Sequence, residues 1–540
     1  MPSPHSFATR TLALAAGATL ALSGCTLTGV DDDPTSAQAT KAGKDAQKDK
    51  PAAPEKPSSD PAKLDAALAG AQESKLVAAE EKVEATSLRF AKARNLTEAT
   101  DVIRSRMLRE GFYNDAPSTT ITSQVIAASD AVVGVQMTAK TTVDGKDATL
   151  PATLWYSTAA EQTYSSPALI KDAQWPAFAA LVGKQATEQK VDTAKVAAAL
   201  TKDAAPYGTG PAYAFNQAGD LLVQFPSGAV ADDATTVVLE KKTFGRMLSA
   251  LGTQAQKAAT NPTQFTGTTS AKPDPELVSK PEDKPEPHPT DDPNAEKPTP
   301  DEPGDGASPA PKKKALRPST AVGPDCRVLK CVSLTYDDGP GGRSLELLEV
   351  IKKHKATGTF FQMGNSISVH PDMTRKMAAA GMEIGSHTVT HPNLAAVSND
   401  KVQREVAGNS ELIKKHTGVT PIVFRPPYGS HNQSVAKVIG DNGMSVIQWE
   451  IDSQDWQNRN AAKTTQLVLT AKNYTSPIAL QHDIHDASID SAEGIYTGLE
   501  QQGKVLVSVT EMSLNSGGTK AGRAYCRNTA LPQEGFNCKG

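Results

Sequence analysis

Positive charge is not in excess in this chain: 56 Lys and Arg stand against 60 Asp and Glu, a formal charge of -4 over 540 residues, and the basic residues are dispersed. A nucleic-acid or anionic-lipid surface concentrates Lys and Arg on one segment, so neither partner is expected. Long apolar runs are lacking as well. The stretch from Leu12 to Leu22 holds roughly a dozen residues, short of the ~20 that cross a bilayer as a helix, so no permanent transmembrane anchor is expected there. Cysteine is scarce, five in all, and none lies in a C-x-x-C pattern, which argues against the usual thiolate zinc site. What the chain does have is length and a hydrophobic content of 38%. A single core rarely grows beyond about 250–300 residues, so two folded domains with substantial linker are expected.

The first 25 residues carry His5 and Arg10, then the short apolar stretch, then Leu22-Ser23-Gly24-Cys25, the layout of an export signal. The segment resembles a bacterial lipoprotein signal. That resemblance implies cleavage before Cys25 and a lipid on its thiol, tying the chain to the outer face of the cell membrane; an ordinary signal peptide with an incidental cysteine is the alternative. Export makes disulfides the default for the other four cysteines, Cys326, Cys331, Cys526 and Cys538. Four cysteines allow three pairings; the sequence-local pairs Cys326 with Cys331 and Cys526 with Cys538 are expected without being deduced.

Residues 26–61 are Asp, Lys, Ala, Pro and Ser with almost no large apolar side chain, too little to offset the entropy of ordering, and read as a tether. Residues 266–320 repeat that character with proline dominant (KPDPELVSKPEDKPEPHPTDDPNAEKPTPDEP). Such a segment favours extended polyproline-II conformation and at ~3.1 Å per residue reaches roughly 150 Å. Between them, residues 62–265 read as a small α+β domain. Leu64, Leu68, Leu76 and Val83 suggest one helix, and Thr97-Glu98 open a second with Val102, Ile103, Met107 and Leu108. Strand-like runs follow from Thr120 to Ala127, Val132 to Thr142 and Ala148 to Tyr156, with Asp144-Gly145 as a hairpin turn. Helical stretches around Ala177 to Leu181 and Thr193 to Leu200 precede a hairpin from Tyr213 to Phe225. The patterns LWYSTAAEQTYSSPALI, DLLVQFPSGAVA and VVLEKKTFGRMLS resemble the domain of the RsiV anti-sigma-factor family.

Residues 321–540 alternate strand and helix. Short β-rich runs at Val332 to Tyr336, Gly358 to Gln362, Met382 to Gly385, Pro421 to Phe424, Met444 to Trp449, Pro477 to Gln481 and Lys504 to Val509 are separated by helical segments such as Leu345 to Lys353 and Lys401 to His416. This implies a parallel sheet covered by helices, open or closed into a barrel. Five polar clusters follow successive strands: Asp337-Asp338, His387 with His391, Arg425 with Tyr428, Asp452 with Asp455-Trp456, and His482. In a parallel α/β fold those strand ends open on one face, so the clusters converge. His387-x-x-x-His391 puts two imidazoles one helical turn apart or on one tight loop. A carboxylate from another strand would complete three ligands of an open catalytic metal site. Adjacent aspartates likewise call for a cation or an arginine.

TYDDGP, SHTVTH, RPPYG, DSQDW and IALQHD, in this order between about Cys331 and Leu514, resemble the five motifs of the polysaccharide deacetylase, or NodB homology, domain of carbohydrate esterase family four. Tyr336 stands where Phe is more usual. The resemblance implies an α/β fold, a distorted (β/α) barrel preceded by the small α+β domain, and a site holding zinc or another divalent metal such as cobalt. Its metal ligands would be Asp338, His387 and His391. Asp337 would be the general base, paired with Arg425, and the backbone N–H of Tyr428 would stabilise the oxyanion. His482 would be the general acid, held and charged by Asp455, with Trp456 and Leu480 lining the acetyl pocket beside Tyr428. His485 and His431 read as groove or surface residues, His354 and His416 as solvated, and Asp452 as support for its loop. The implied activity is linear-amide hydrolysis on an N-acetylhexosamine polymer, foremost peptidoglycan, by a monomer. Competing readings are an O-acetyl esterase on xylan or another acetylated glycan, and a catalytically silent wall-binding or sensor lipoprotein.

Overall fold

The computed structural model describes residues 57–200, 210–277 and 320–528. The signal segment with Cys25, the tether up to residue 56, the linker from 278 to 319 and Cys538 lie outside the described residues. No described helix is long and apolar enough to cross a membrane.

Strands β1 (Ala71–Ala78), β2 (Val83–Phe90), β3 (Thr119–Ala128), β4 (Val132–Val143), β5 (Lys146–Ser157) and β6 (Gln162–Tyr164) form one sheet in chain order. Helix α1 (Arg94–Tyr113) runs between β2 and β3, and a crossover of that length makes this pair parallel while the others are antiparallel. Asp144 and Gly145 both have positive φ, 50° and 73°, as a tight hairpin turn requires. The helix expected across Leu64 to Val83 is instead the β1–β2 hairpin. Leu76, Ala78, Val83 and Ala85 are buried with more exposed residues between them, the period of two of a half-buried strand. Leu64, Leu68 and Leu76 imitate a helical spacing only because alanine and serine dilute that alternation.

A three-stranded antiparallel sheet, β7 (Ala212–Phe215), β8 (Leu221–Phe225) and β9 (Thr235–Leu239), packs with the helices Trp175–Glu188 and Ala250–Thr260 around Trp155, Phe178, Tyr213, Phe215 and Phe244. The segment expected to be linker from Thr266 packs further than that: Phe265 is buried, and the buried Asp274 accepts the Leu251 N–H.

Polar residues of α1 and β1 fix this region to the C-terminal one. Arg109 donates to Glu511, to Thr357 Oγ1 at 3.2 Å and to the Gly381 carbonyl at 3.1 Å. Glu98, fully buried, accepts from Arg94 Nε at 3.0 Å and from the Thr519 hydroxyl at 2.6 Å. Ser74 donates to the Gly418 carbonyl at 2.9 Å.

The C-terminal region holds nine parallel strands: β10 (Cys331–Asp337), β11 (Thr359–Gln362), β12 (Glu383–Ser386), β13 (Val423–Phe424), β14 (Ser445–Ile447), β15 (Ile451–Asp452), β16 (Ile478–His482), β17 (Val505–Leu506) and β18 (Ala524–Tyr525). Their order is β15-β16-β10-β11-β12-β13-β14-β18, with β17 beside β10. On a flat sheet β14 and β15 would stand six strand spacings apart, roughly 29 Å, yet four peptide steps join Ile447 to Ile451, at most about 14 Å. The sheet therefore curls until its ends meet. Across the seam Ile478 donates to the Cys526 carbonyl at 3.1 Å, and Gln448 and Glu450 donate to Tyr525 and Ile478. The result is the expected distorted (β/α) barrel. Strands β15 and β18, two residues each, are too short to show any periodicity. The Cys326–Cys331 disulfide is formed, and Cys526 is disulfide-bonded as well.

Candidate active site

Each polar cluster does stand at a C-terminal strand end. Asp337 closes β10, His387 follows β12, Arg425 follows β13, Asp455 lies three residues beyond β15, and His482 closes β16. The register places Asp337 opposite His482 and Thr335 opposite Leu480, so these four share one face of the sheet. The loops that follow are unusual: Asp338, Thr388, His391, Tyr428, Gln454 and Arg459 all have φ between 50° and 69°. Non-glycine residues rarely occupy the left-handed region, least of all a β-branched threonine, and such strain persists only where the surroundings impose it.

His387 and His391 sit on a tight loop rather than a helix. Thr388 Oγ1 accepts the His391 N–H at 3.0 Å, and Glu405, from the helix Asn399–Thr417, accepts the N–H groups of Val389 and Thr390 at 2.9 Å. The His387 and His391 Nε2 atoms lie 3.4 and 3.3 Å from Asp338 Oδ1, and one ligand atom from each of the three residues falls within 4.8 Å of the others. His387 Nδ1 is 2.7 Å from the Arg425 carbonyl oxygen. A carbonyl only accepts, so Nδ1 carries the proton and Nε2 presents a lone pair. That lone pair faces Asp338 Oδ1, a buried oxygen with no hydrogen-bond partner among the described residues. Burial pushes the His387 pKa down to about 3, which keeps the ring neutral. Lone pairs meeting with no proton between them suit a cation, and the set of two imidazoles and one carboxylate fits a divalent metal with a position left open.

Arg425, 0% exposed, donates from Nη1 to Asp337 Oδ1 at 2.8 Å and to Thr335 Oγ1 at 2.7 Å, and from Nη2 to the Gln448 carbonyl. Its guanidinium lies 4.3 Å over the Phe361 ring. Asp337 is thereby held on its Oδ1, while Oδ2 faces His387 Nε2 at 3.8 Å. Burial raises the Asp337 pKa, against the opposing charges of Arg425 and His482. On the other side Asp455 accepts the His482 N–H at 2.7 Å, His482 Nδ1–H at 2.9 Å, the Trp456 N–H at 2.8 Å and the Ser488 hydroxyl. Burial disfavours the His482 cation, but the hydrogen bond and charge of Asp455, with Asp337 and Asp338 behind it, raise its pKa to about 9. At neutral pH a buried carboxylate with a raised pKa, Asp337, and a charged imidazole, His482, thus stand on neighbouring strands beside the metal-ligand set.

Tyr428 is 69% exposed, with its ring 4.7 Å from that of His391; Trp456 is 47% exposed and Leu480 is buried. Asp452 supports its loop by accepting the Gln454 N–H at 2.8 Å. His431 is tied to Gln448 at 3.0 Å and to the Gly429 carbonyl. His354 is not solvated: its ring stacks on Tyr496 at 5.6 Å and bridges to Glu500 at 3.0 Å, because the neighbouring helix Asp486–Gln501 covers it. Four residues given no role from the sequence complete the site: Thr335, Glu405, Ser488 and Asp483. Asp483 is buried and accepts from Ser344, and a Cβ on Gly339 would come within 2.0 Å of its Oδ1, so the Asp338-Gly339 turn needs glycine there. Position after His482 in IALQHD was the one available hint.

Residues 326–447 match the family described as "Polysaccharide deacetylase". The chain is 34% identical over 190 residues to the peptidoglycan-N-acetylglucosamine deacetylase PgdA of Listeria monocytogenes, covering 35% of this chain and 40% of that protein. Against the peptidoglycan-N-acetylglucosamine deacetylase of Bacillus cereus it is 34% identical over 183 residues, 32% of this chain and 67% of the relative. The solved structure of the peptidoglycan deacetylase PdaC from Bacillus subtilis is 31% identical, covers 35% of this chain and 91% of its own, and superposes with a TM-score of 0.33. The chain thus spans about two fifths of the length of its Listeria relative and two thirds of the Bacillus one. By that match, the chain belongs to the polysaccharide deacetylase family.

Proposed function

We propose that the chain is a metal-dependent deacetylase that hydrolyses the N-acetyl groups of peptidoglycan. The observation that carries this reading is the placement of a two-histidine, one-carboxylate set beside a buried carboxylate, Asp337, held by Arg425, and a charged imidazole, His482, held by Asp455. Asp338, His387 and His391 would hold a divalent cation, zinc suiting that donor set, and the cation would supply Lewis acidity for hydrolysis of an acyl group. Asp337, anchored through Oδ1 by Arg425, takes the proton of the attacking water on Oδ2. Arg425 fixes the direction of that carboxylate rather than touching substrate. The backbone at Tyr428 turns toward the oxyanion, and Leu480 with Trp456 receives the acetyl methyl. His482 gives its proton to the departing nitrogen while Asp455 holds the ring.

The charged state of His482 favours an amide over an ester. An amine is a poor leaving group until protonated, whereas an ester departs without so strong an acid. Relatives named as peptidoglycan deacetylases support the glycan. We also propose lipid attachment at Cys25, supported by Leu22-Ser23-Gly24-Cys25 after a short apolar run, which would hold the enzyme at the outer membrane face beside its substrate. The test is incubation of the full chain with peptidoglycan, N-acetylglucosamine oligomers and acetylxylan, with products identified by mass. Release of acetate from acetylxylan alone would move the assignment to the esterase reading.

A further inference from the structure

The helix Asp455–Asn458 is bounded by Gln454 and Arg459, with φ of 53° and 50°. This left-handed exit carries the exposed Arg459 onto His485, with Nη1 2.7 Å from His485 Nδ1. A guanidinium only donates, so Nδ1 accepts and the ring proton resides on Nε2. His485 is therefore neutral; burial and the charge of Arg459 hold its pKa below the usual value. Its ring lies 5.5 Å from that of His482.

Arg459 forms no ion pair with a carboxylate among the described residues. The acids that follow His485 on the next helix, Asp486 and Asp490, are held by Arg343 at 2.8 and 2.9 Å. A full positive charge is thus fixed against a neutral ring at the rim of the site, with its remaining N–H donors open. Trp456, in the same short helix, and Ile484, beside His485, are 47% and 44% exposed. They offer apolar surface of the kind a sugar face covers. The cation stands on the side of His482, where the sugar that keeps the new amine must lie.

We infer that Arg459, positioned by His485, is an anion subsite that binds a carboxylate on the sugar adjoining the one deacetylated. The guanidinium fork matches a carboxylate in two parallel hydrogen bonds. The inference rests on the peptidoglycan reading and narrows it to peptide-free strands: muramic acid residues freed of their stem peptides carry such a carboxylate, whereas chitin-like and xylan backbones carry none. His485 is a positioning residue, and Arg459 determines specificity.

The test uses the full chain carrying Asp337→Asn, so that ligand is bound and not consumed. Affinity is measured for peptide-free glycan strands with free muramic carboxylates and for the same strands converted to methyl amides. The carboxylate strands should bind roughly 10- to 100-fold more tightly, the range of a charge-assisted bidentate contact. Adding Arg459→Ala should bring the ratio close to one, and Arg459→Lys should restore part of it. Raising salt should shrink the preference. Equal affinities, or a preference that survives Arg459→Ala, overturn the subsite. Acetate release from the carboxylate strands themselves by the unsubstituted chain is followed in parallel. Release without carboxylate preference overturns the subsite alone; preference without release overturns the proposed activity and leaves the subsite standing.

Discussion

Asp455→Asn isolates what the carboxylate does for the acid. In the structure Asp455 accepts from both the main chain and the ring of His482 and from Ser488, and against the cost of burial its hydrogen bond to the ring, followed by its charge, does most to raise the imidazole above its ordinary 6.5 to about 9. The raised value means that the protonated acid is present below about 9 and is lost as pH rises through it. At about pH 7.5 a group with pKa about 9 is roughly 97% protonated; one returned to 6.5 is roughly 9% protonated, a loss of about tenfold from protonation alone. Burial, then opposed only by the charges of Asp337 and Asp338, adds to the loss. Loss of the ring's fixed orientation adds to this, so the total should reach roughly 10²–10⁴-fold. A cation at Asp338 cancels that carboxylate's share, which puts the basic limb of the loaded enzyme below about 9 and leaves Asp455 as the larger contributor. The assay is the pH profile of kcat/KM. Asp455→Asn should shift the basic limb down by more than one unit and regain part of its activity as pH falls, and Asp455→Glu should restore some of the shift. An unmoved limb would refute the pairing as the source of the acid's charge.

Asp337→Asn should keep its metal, measured by elemental analysis, yet lose roughly 10²–10⁴-fold in turnover; loss of metal instead would make Asp337 a ligand. His391→Ala should lose the metal, because two protein ligands rarely hold zinc in an open site. Arg109→Met leaves the buried Glu511 carboxylate with the Ser508 N–H at 2.9 Å and the longer 3.7 Å contact to Arg106 as its one remaining ion pair among the described residues. It should cost about 3–5 kcal/mol in urea unfolding of the full chain, and an unchanged midpoint would contradict the tight junction between the two regions. Cys25→Ser should abolish lipid attachment, so a variant that still fractionates with membrane would count against the anchor.

The site was more legible than the domain that precedes it, for a physical reason. Metal ligation and proton transfer admit few residue types, so Asp337, Asp338, His387, His391 and His482 announce themselves at strand ends that a parallel sheet brings to one face. What supports them does not. Glu405 reads as one charge in a polar helix, yet it folds back onto the His387–His391 loop. Asp483 and Ser488 are ordinary polar residues until the barrel closes over them. The β1–β2 hairpin reads as helix in the sequence because four apolar residues in an alanine-rich segment satisfy both periods. The seam strands β15 and β18 carry two residues each, and only the closure of the barrel gives them partners. Contacts across the junction, such as Arg94 with Thr519, join residues several hundred positions apart and leave no local trace.

Metal removal and restoration in the full chain, with free amines counted on isolated cell wall, is the most direct test of the account. The account predicts that amines and acetate appear in equal amounts with the metal-loaded chain, cease after chelation, and return when zinc is added. Undiminished release of acetate by a preparation verified to be free of metal would contradict it.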